Sequence, residues 1–336
     1  MKFFKILVIA LSFSKFTVAQ SLNTIPLDSG KNTSIRGISV VDDKVAWISG
    51  SNGWIAKTKD AKTFEWQQLK GYEKIDFRDI EAFSDTEAII VSAGSPAYIL
   101  KTINAGISWQ KVYENRDTSI FLDGMAFWNK KEGIIFGDPI DGVMQILITK
   151  DGGNHWENIS DKANIQLIKG EAGFAASGTG IRTFKNKVYI ATGGIQSRLF
   201  ISPDKGKTWS NEKIPIIQGE SSTGCFSIAV NDQEVFAVGG DYLKDQSIEL
   251  NYAKRENSEW IMAEQAPNGY KSSIEMIGQK TLIATGTSGT DISTDGGINW
   301  QMISSKSFNV CQKAKKGKLI LLAGSKGQIS KLKLNY

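Results

Sequence analysis

The residues best suited to chemistry are two arginines, four carboxylates and one tyrosine, spread along the 336-residue chain. They are Arg36, Arg78, Asp123, Asp138, Glu171, Asp241 and Tyr242. Arginine binds a carboxylate or a main-chain carbonyl through its fork of N–H donors. Two carboxylates about 5 to 10 Å apart are the pair that most glycosidases use. If these residues share one surface, they form either a ligand or peptide site, or a ring of ion pairs that satisfies polar groups in a wet channel.

Imidazole, metal and cofactor chemistry find little support in the composition. The chain has one histidine, His155, which excludes sites that need several imidazoles. Glycine-rich stretches such as 177–180 lack the strand-then-helix context of a dinucleotide site, so we expect no cofactor and no metal. Cys225 and Cys311 lie in strand-like runs with an entire repeat between them, and we expect two separate buried thiols.

A repeated motif, S/T-x-D-x-G-x-x-W, organises the chain around these residues. It occurs in full with Asp151 and Trp156, with Asp204 and Trp209, and with Asp295 and Trp300; a fourth copy has Asn104, Gly106 and Trp109, and degenerate copies end at Trp66 and Trp260. The motif is similar to the Asp-box, or bacterial neuraminidase repeat. Its carboxylate accepts N–H bonds within a turn, its glycine allows a positive φ, and its tryptophan packs on a neighbouring sheet. We therefore predict structural Asp boxes, with His155 at a solvated turn position.

The spacing of the motif predicts the fold. Its six tryptophans lie 40 to 53 residues apart, and each interval holds four short strand patterns. Four strands in about 40 to 50 residues make one blade of a β-propeller. Units begin near Ile35, Phe77, Leu122, Thr179, Cys225, Ser272 and Phe308. The prediction is an all-β, seven-bladed propeller over residues 20–336, a single domain.

The last unit contains only three strand patterns, whereas residues 22–27 form an orphan strand before the first unit. We expect this N-terminal strand to become the outermost strand of blade 7 and so to close the ring. Closure would protect the open sheet edges.

Propeller topology places the candidate residues on one face. The connection that enters each inner strand and the turn between the second and third strands share the face called the top here, and the Asp boxes lie on the bottom. Blades 1 and 2 contribute the two arginines and blades 3 to 5 contribute the carboxylates and Tyr242. Blade 4 follows an additional segment of small residues, 170–178 (GEAGFAASG). We expect opposite charges to meet around the channel mouth.

The N-terminus is typical of a secretory signal peptide. Lys2 and Lys5 precede an apolar run from Ile6 to Phe13, and Thr17 and Ala19 fit a cleavage site before Gln20. Removal of residues 1–19 leaves 37 basic and 35 acidic residues, a net charge of +2 rather than +5. We therefore expect a periplasmic or secreted monomer with no membrane span, and near-neutrality gives no support to a nucleic-acid partner.

Inner-strand starts such as Phe77-Arg78-Asp79-Ile80, together with the degenerate Asp boxes, resemble the photosystem II stability/assembly factor family. The resemblance covers residues 20–336 and implies seven blades. Segments 137–139, 170–178 and 239–242 look like a non-photosynthetic bacterial branch, some of whose sequences carry an oxidoreductase label. Photosynthetic members help to assemble a membrane complex through an arginine-rich face, and Arg36 and Arg78 are the positions here that match it.

Three functions follow as hypotheses. The first is an exported, non-catalytic scaffold that binds a protein or peptide. The second is a sialidase-like glycoside hydrolase that uses the channel-mouth carboxylates, with Tyr242 as a loose candidate nucleophile and a glycan as ligand. The third is an oxidoreductase, suggested only by the label. A tight carboxylate pair in a deep pocket favours the hydrolase, and carboxylates neutralised by Arg36 or Arg78 favour a structural or binding face.

Overall fold

The computed structural model describes residues 23–333, which form antiparallel strands around a central channel. The predicted signal peptide, residues 1–19, and its cleavage site between Ala19 and Gln20 lie outside the described residues. Within the described part of the chain, no helix has the length and apolar character needed to cross a bilayer.

The first three blades follow an N-terminal strand, β1 (Asn23–Asp28). Blade 1 consists of β2 (Ile35–Val40), β3 (Ala46–Gly50), β4 (Trp54–Thr58) and β5 (Glu65–Gln68). Blade 2 consists of β6 (Phe77–Ala82), β7 (Ala88–Ser92), β8 (Ala97–Thr102) and β9 (Gln110–Asn115). Blade 3 consists of β10 (Leu122–Phe127), β11 (Gly133–Ile140), β12 (Val143–Thr149) and β13 (Glu157–Asn158), followed by the short helix α1 (Ser160–Ala163).

The remaining four blades include two additional short strands, β14 (Glu171–Ala172) and β17 (Gly193–Gly194). Both belong to the sheet of blade 5. Blade 4 consists of β15 (Ile181–Phe184), β16 (Lys187–Ala191), β18 (Arg198–Ser202) and β19 (Ser210–Lys213). Blade 5 has β20 (Thr223–Val230), β21 (Glu234–Asp241), β22 (Tyr252–Glu256) and β23 (Glu259–Ile261). Blade 6 has β24 (Ser273–Met276), β25 (Leu282–Gly286), β26 (Gly289–Ser293) and β27 (Gln301–Ser304). Blade 7 has β28 (Val310–Lys313), β29 (Ile320–Ala323) and β30 (Ile329–Lys333), with the 3₁₀ turn Ser325–Gly327.

The predicted seven-bladed β-propeller is confirmed, since the sheets form seven antiparallel blades in a ring. The core lies between blades, where apolar residues of adjacent sheets pack together. One cluster joins Trp47 and Ile55 of blade 1 to Ile80 and Ile90 of blade 2. Because both faces of each sheet are covered, the second strands of the blades are mostly apolar, as in the fully buried β7.

Ring closure follows the predicted scheme. Strand β1 pairs antiparallel with β30, and Thr24 lies opposite Leu332, so blade 7 gains its fourth strand from the N-terminus. The indole N–H of Trp66 in blade 1 donates to the Asp28 carboxylate at 2.7 Å. This hydrogen bond links the closing strand to the next blade as well.

The Asp boxes are turn devices, as predicted. In blade 3, Asp151 Oδ1 accepts the main-chain N–H groups of Asn154 and His155, each at 3.0 Å, and Thr149 Oγ1 accepts the Gly153 N–H at 2.9 Å. The same pattern recurs around Asp204 and Asp295. His155 has a 90% exposed side chain, beside Asp151 on the solvent side of this turn.

The motif tryptophans pack against aromatic side chains of the preceding blade. Trp109 of blade 2 meets Trp47 of blade 1 edge to face at 6.0 Å, and Trp300 of blade 6 meets Tyr252 of blade 5 at 5.3 Å. Such pairs add stability beyond their buried area. Cys225 and Cys311 are two free buried thiols, as expected, and burial raises the pKa of each to about 12.

Candidate functional site

The central channel is blocked by a segment that we call the channel plug (residues 173–179), which connects β14 to blade 4. It contacts five other blades through polar bonds. From blades 1 and 2, Arg36 Nη1 donates to the Ala176 carbonyl at 3.0 Å and Arg78 Nη1 donates to the Ala175 carbonyl at 3.2 Å. The Gly173 N–H donates to Asp138 of blade 3 at 3.0 Å. Ser177 Oγ donates to the Ser272 carbonyl of blade 6 at 2.6 Å, and Thr179 Oγ1 shares a hydrogen bond with Ser227 Oγ of blade 5. The plug therefore divides the channel into a top and a bottom cavity.

Small residues let the plug fit into this space. A Cβ on Gly173 would lie 2.4 Å from the Asp123 carboxylate, and Gly178 has a φ of +69° and would bring a Cβ within 2.4 Å of Asp79. Neither position tolerates a side chain without movement of its neighbours. The composition of segment 170–178 is thus explained by the narrowness of the channel.

β-bulges aim the side chains at the channel mouth. Each of four inner strands skips one residue in its pairing with the second strand: Arg36 in β2, Arg78 in β6, Asp123 in β10 and Phe226 in β20. A bulge leaves one residue unpaired and redirects its side chain. Of these four bulge residues, Arg36, Arg78 and Phe226 line the same cavity, whereas Asp123 lies behind the plug.

The top cavity has a volume of about 350 Å³ and both polar and aromatic walls. Its principal side chains are Arg36, Arg78, Phe174, Phe226, Tyr242 and Tyr270. The rings of Phe174 and Phe226 stack 3.8 Å apart, and Tyr270 meets Phe226 edge to face at 4.8 Å. Tyr242 is 46% exposed at the rim, so the aromatic cluster is open to solvent on this side.

Arg36 and Arg78 are half-buried, and the expected ion pairs with Asp123, Asp138, Glu171 or Asp241 do not form. Among residues 23–333, the one salt bridge of either arginine is between Arg78 and Asp76, at 3.4 Å. Burial, and next the charge of Arg78, lower the pKa of Arg36. The two guanidinium groups instead bind main-chain carbonyls of the plug, and their positive charge at the cavity is only partly compensated.

Asp123 and Asp138 form a pair of carboxyl groups behind the plug. The main-chain N–H of Ala175 and the carboxyl group of Asp138 lie beside the buried carboxyl group of Asp123. Burial, followed by the proximity of Asp138, raises the pKa of Asp123, and burial raises the pKa of Asp138. Two such groups side by side favour one shared proton. Neither residue lines the top cavity, so this pair does not face the space in which a glycan would sit.

Glu171 and Asp241 do not join the other candidates. The Glu171 carboxylate is fully buried and binds Arg198 through two hydrogen bonds of 2.8 and 2.6 Å, with a third from Thr192. Asp241 accepts the Leu243 N–H at 3.0 Å and thereby orders its own loop. Both carboxylates have local structural partners.

Sequence reasoning missed the plug and the aromatic cluster. The signal for the plug was the additional small-residue segment before blade 4, but its partners lie far away in sequence, such as Arg36 at 140 positions. Phe226 follows Cys225, the predicted start of the fifth unit, whereas Phe174 and Tyr270 lie in loops without a repeat to mark them.

Comparisons with known proteins agree with this fold. The BNR/Asp-box repeat family matches residues 291–302, which contain Asp295 and Trp300. The structure of YCF48 bound to D1 peptide is similar, with a TM-score of 0.66, 15% identity, and coverage of 97% of this chain and 99% of that chain. YCF48 from Cyanidioschyzon merolae gives a TM-score of 0.65 at 15% identity, covering 93% and 98% of the two chains. A search of the curated proteins matched none of them to this chain.

An enzyme is also among the similar structures. The GH74 xyloglucanase from Xanthomonas campestris has a TM-score of 0.62 and 14% identity, and the match covers 92% of this chain but 53% of the enzyme. At such identities the likeness concerns the fold. The chain is a seven-bladed β-propeller that carries a BNR/Asp-box repeat and shares the fold of the photosystem II assembly factor YCF48.

Proposed function

We propose that this protein is an exported, non-catalytic scaffold that binds a protein or peptide partner at the top cavity. The observation that supports it most is the use of Arg36 and Arg78. Both already donate to consecutive main-chain carbonyls of the channel plug, those of Ala176 and Ala175. The same groups have further N–H donors for the carbonyls or a carboxylate of a second chain at the open side of the cavity.

The aromatic cluster complements the arginines. Phe174, Phe226 and Tyr270 offer an apolar surface beside two cations, and Tyr242 extends it outward. Partner segments that combine a main chain or carboxylate with an apolar side chain match this surface. The fold likeness to YCF48 bound to D1 peptide agrees with a peptide-binding role.

The hydrolase alternative draws support from the GH74 likeness and from the Asp123–Asp138 pair. However, the carboxyl groups of a glycosidase must flank a sugar, about 5 Å or more apart. Here the two groups interact directly, the plug covers them, and Tyr242 has no carboxylate or histidine partner among the described residues. Release of sugar from a panel of bacterial and host glycans, lost in Asp138→Asn, would reverse the order of the two proposals.

Site-specific photocrosslinking in the native host tests the scaffold proposal. A photoreactive phenylalanine analogue at Tyr242 reports partners of the top cavity, and the same analogue at Ile107, 82% exposed on a bottom turn, serves as the positional control. We expect a discrete adduct from position 242 and none of the same mass from position 107.

The double variant Arg36→Ala/Arg78→Ala should reduce that adduct about tenfold or more, because it removes charge-assisted hydrogen bonds. Arg116→Ala, which alters an exposed arginine of blade 2, is the matched control and should leave the adduct unchanged. Equal adduct yields in the three proteins, or a loss explained by unfolding in circular dichroism, would contradict the proposed role of the two arginines.

A further inference from the structure

The channel has a second, larger cavity on the bottom face, with a volume of about 630 Å³. The plug forms part of its floor through Gly178, beside Asp79. The ends of inner strands from blades 1, 2, 3, 4, 6 and 7 form its walls. It is therefore a blind cavity that opens only on the face opposite the arginine-aromatic site.

Charge in this cavity is unbalanced. Five cationic side chains line it, namely Lys130, Arg182, Lys313, Lys315 and Lys316, against the three carboxylates Asp79, Glu81 and Glu275. Arg182 binds Glu275 at 2.8 Å and Lys315 binds Glu81, so two pairs cancel. Among residues 23–333, no salt bridge involves Lys130, Lys313 or Lys316. The surplus cations stand out because the predicted mature chain has a net charge of only +2.

Asp79, the remaining carboxylate, is poorly placed to neutralise these lysines. It is 4% exposed and accepts the main-chain N–H groups of Ile80 and Met125, each at 2.8 Å. Burial raises the pKa of Asp79 to about 7, so this carboxyl group carries less than a full charge at neutral pH. Lys313 lies near Glu275, which already pairs with Arg182, so the lysines at the rim outnumber the carboxylates that could neutralise them.

Apolar side chains lie next to the cations. Phe83 and Phe127 meet edge to face at 5.0 Å, and Met125 and Met276 line the same cavity. Thioether and aromatic groups suit an apolar ligand body. The cavity therefore joins a cationic rim to an apolar wall within a volume that accommodates a small molecule.

We propose that the bottom cavity binds a small organic anion, with its negative charges at Lys313 and Lys316 and its apolar body against Phe127 and Met276. This site is separate from the top cavity and does not rest on the proposed scaffold function. Lysine acts on such a ligand as a point charge with several donors, which suits phosphate or carboxylate groups.

Isothermal titration with phenyl phosphate tests the proposal. This probe is mostly a dianion at pH 7.5 and carries an apolar ring. We expect saturable binding that weakens with salt, at least tenfold weaker binding to Lys313→Gln/Lys316→Gln, and weaker binding of inorganic phosphate than of phenyl phosphate. Lys59→Gln/Lys62→Gln removes two exposed lysines of the blade 1 turn and should bind like the wild type.

Tyr242→Ala, at the rim of the top cavity, distinguishes the two cavities without removing a hydrogen bond to the plug, and it should retain full affinity for phenyl phosphate. Absence of binding at 5 mM probe, equal affinity in the Lys313→Gln/Lys316→Gln protein, or inorganic phosphate as tight as phenyl phosphate would overturn the proposal. Loss of binding in the Tyr242→Ala protein alone would place the anion in the top cavity and overturn it as well.

Discussion

Asp123 and Asp138 lie on adjacent strands, and a bulge in the pairing of each strand turns their carboxyl groups toward one another. A buried pair of acids has raised pKa values in the folded state, so the folded chain binds protons more tightly than the unfolded chain. Its contribution to stability is complete below the unfolded pKa near 3.8 and is lost as the pH rises through the folded values. The pair thus makes the ring more stable in mild acid than in alkali.

The variant Asp123→Asn should flatten this pH dependence. The new amide N–H₂ can donate to Asp138, which reproduces the hydrogen bond of the protonated pair without its proton. We expect the free energy of unfolding to vary less between pH 5 and 8 than in the wild type, and to exceed it at pH 8 by about 1.4 kcal/mol for each unit of raised pKa removed.

Urea titrations at pH 5, 6, 7 and 8 measure these free energies. The matched control is Asp161→Asn, an exposed acid of α1, which should follow the wild-type profile. Parallel profiles for the wild type and Asp123→Asn would show that the pair ionises freely. Asp79, with its pKa near 7, leaves a residual slope in both proteins.

At the scale of the element, the Asp-box turn has two side chains, a hydroxyl and a carboxylate, that accept main-chain N–H groups. The buried Ser293 hydroxyl accepts the Gly297 N–H at 2.9 Å and donates to Asp295 at 2.8 Å, while Asp295 holds the next two N–H groups. The serine or threonine is therefore as much a part of the motif as its aspartate. The blade 2 copy has Asn104 in place of aspartate. Its amide oxygen accepts the N–H of Ser108, which occupies the position of Asn299 in the blade 6 turn.

Ser293→Ala should lower the free energy of unfolding by about 1 to 2 kcal/mol, because it leaves a buried N–H without an acceptor. Ser305→Ala, at an exposed position after the same blade, should change it little. Thermal and urea unfolding provide the comparison. An equal effect of the two substitutions would mean that water replaces the hydroxyl in this turn.

Elements of the fold were predictable because each depends on local sequence. The Asp boxes, the blade starts at Ile35 and Phe77, and the orphan strand β1 follow from spacing and two-residue periodicity. The site was less predictable. Aligned unit starts led to Arg36 and Arg78, which line the top cavity. They gave no account of Glu171, whose partner Arg198 depends on how blade 4 folds back.

At the scale of the whole molecule, ring closure depends on the N-terminal strand. A chain that begins at residue 20, the predicted mature start, retains β1, whereas a chain that begins at residue 29 lacks both β1 and the Asp28–Trp66 hydrogen bond. The shorter chain presents the edge of β30 to solvent, and exposed edges pair with other chains.

We expect truncation to residue 29 to lower Tm by about 5 °C or more relative to the chain that begins at residue 20. It should also produce dimers or larger species in size-exclusion chromatography with light scattering. Identical melting and a monomeric profile in both proteins would show that three strands suffice for blade 7.

The channel plug has a further consequence for how the ring comes apart. In a repeat protein whose units touch only their neighbours, unfolding begins at the weakest junction and spreads along the chain. Here one short segment hydrogen-bonds blades 1, 2, 3, 5 and 6 at once, so no blade opens without disturbing the centre. The propeller should therefore behave as a single cooperative unit, with amide protons of distant blades exchanging through one common opening rather than seven separate ones.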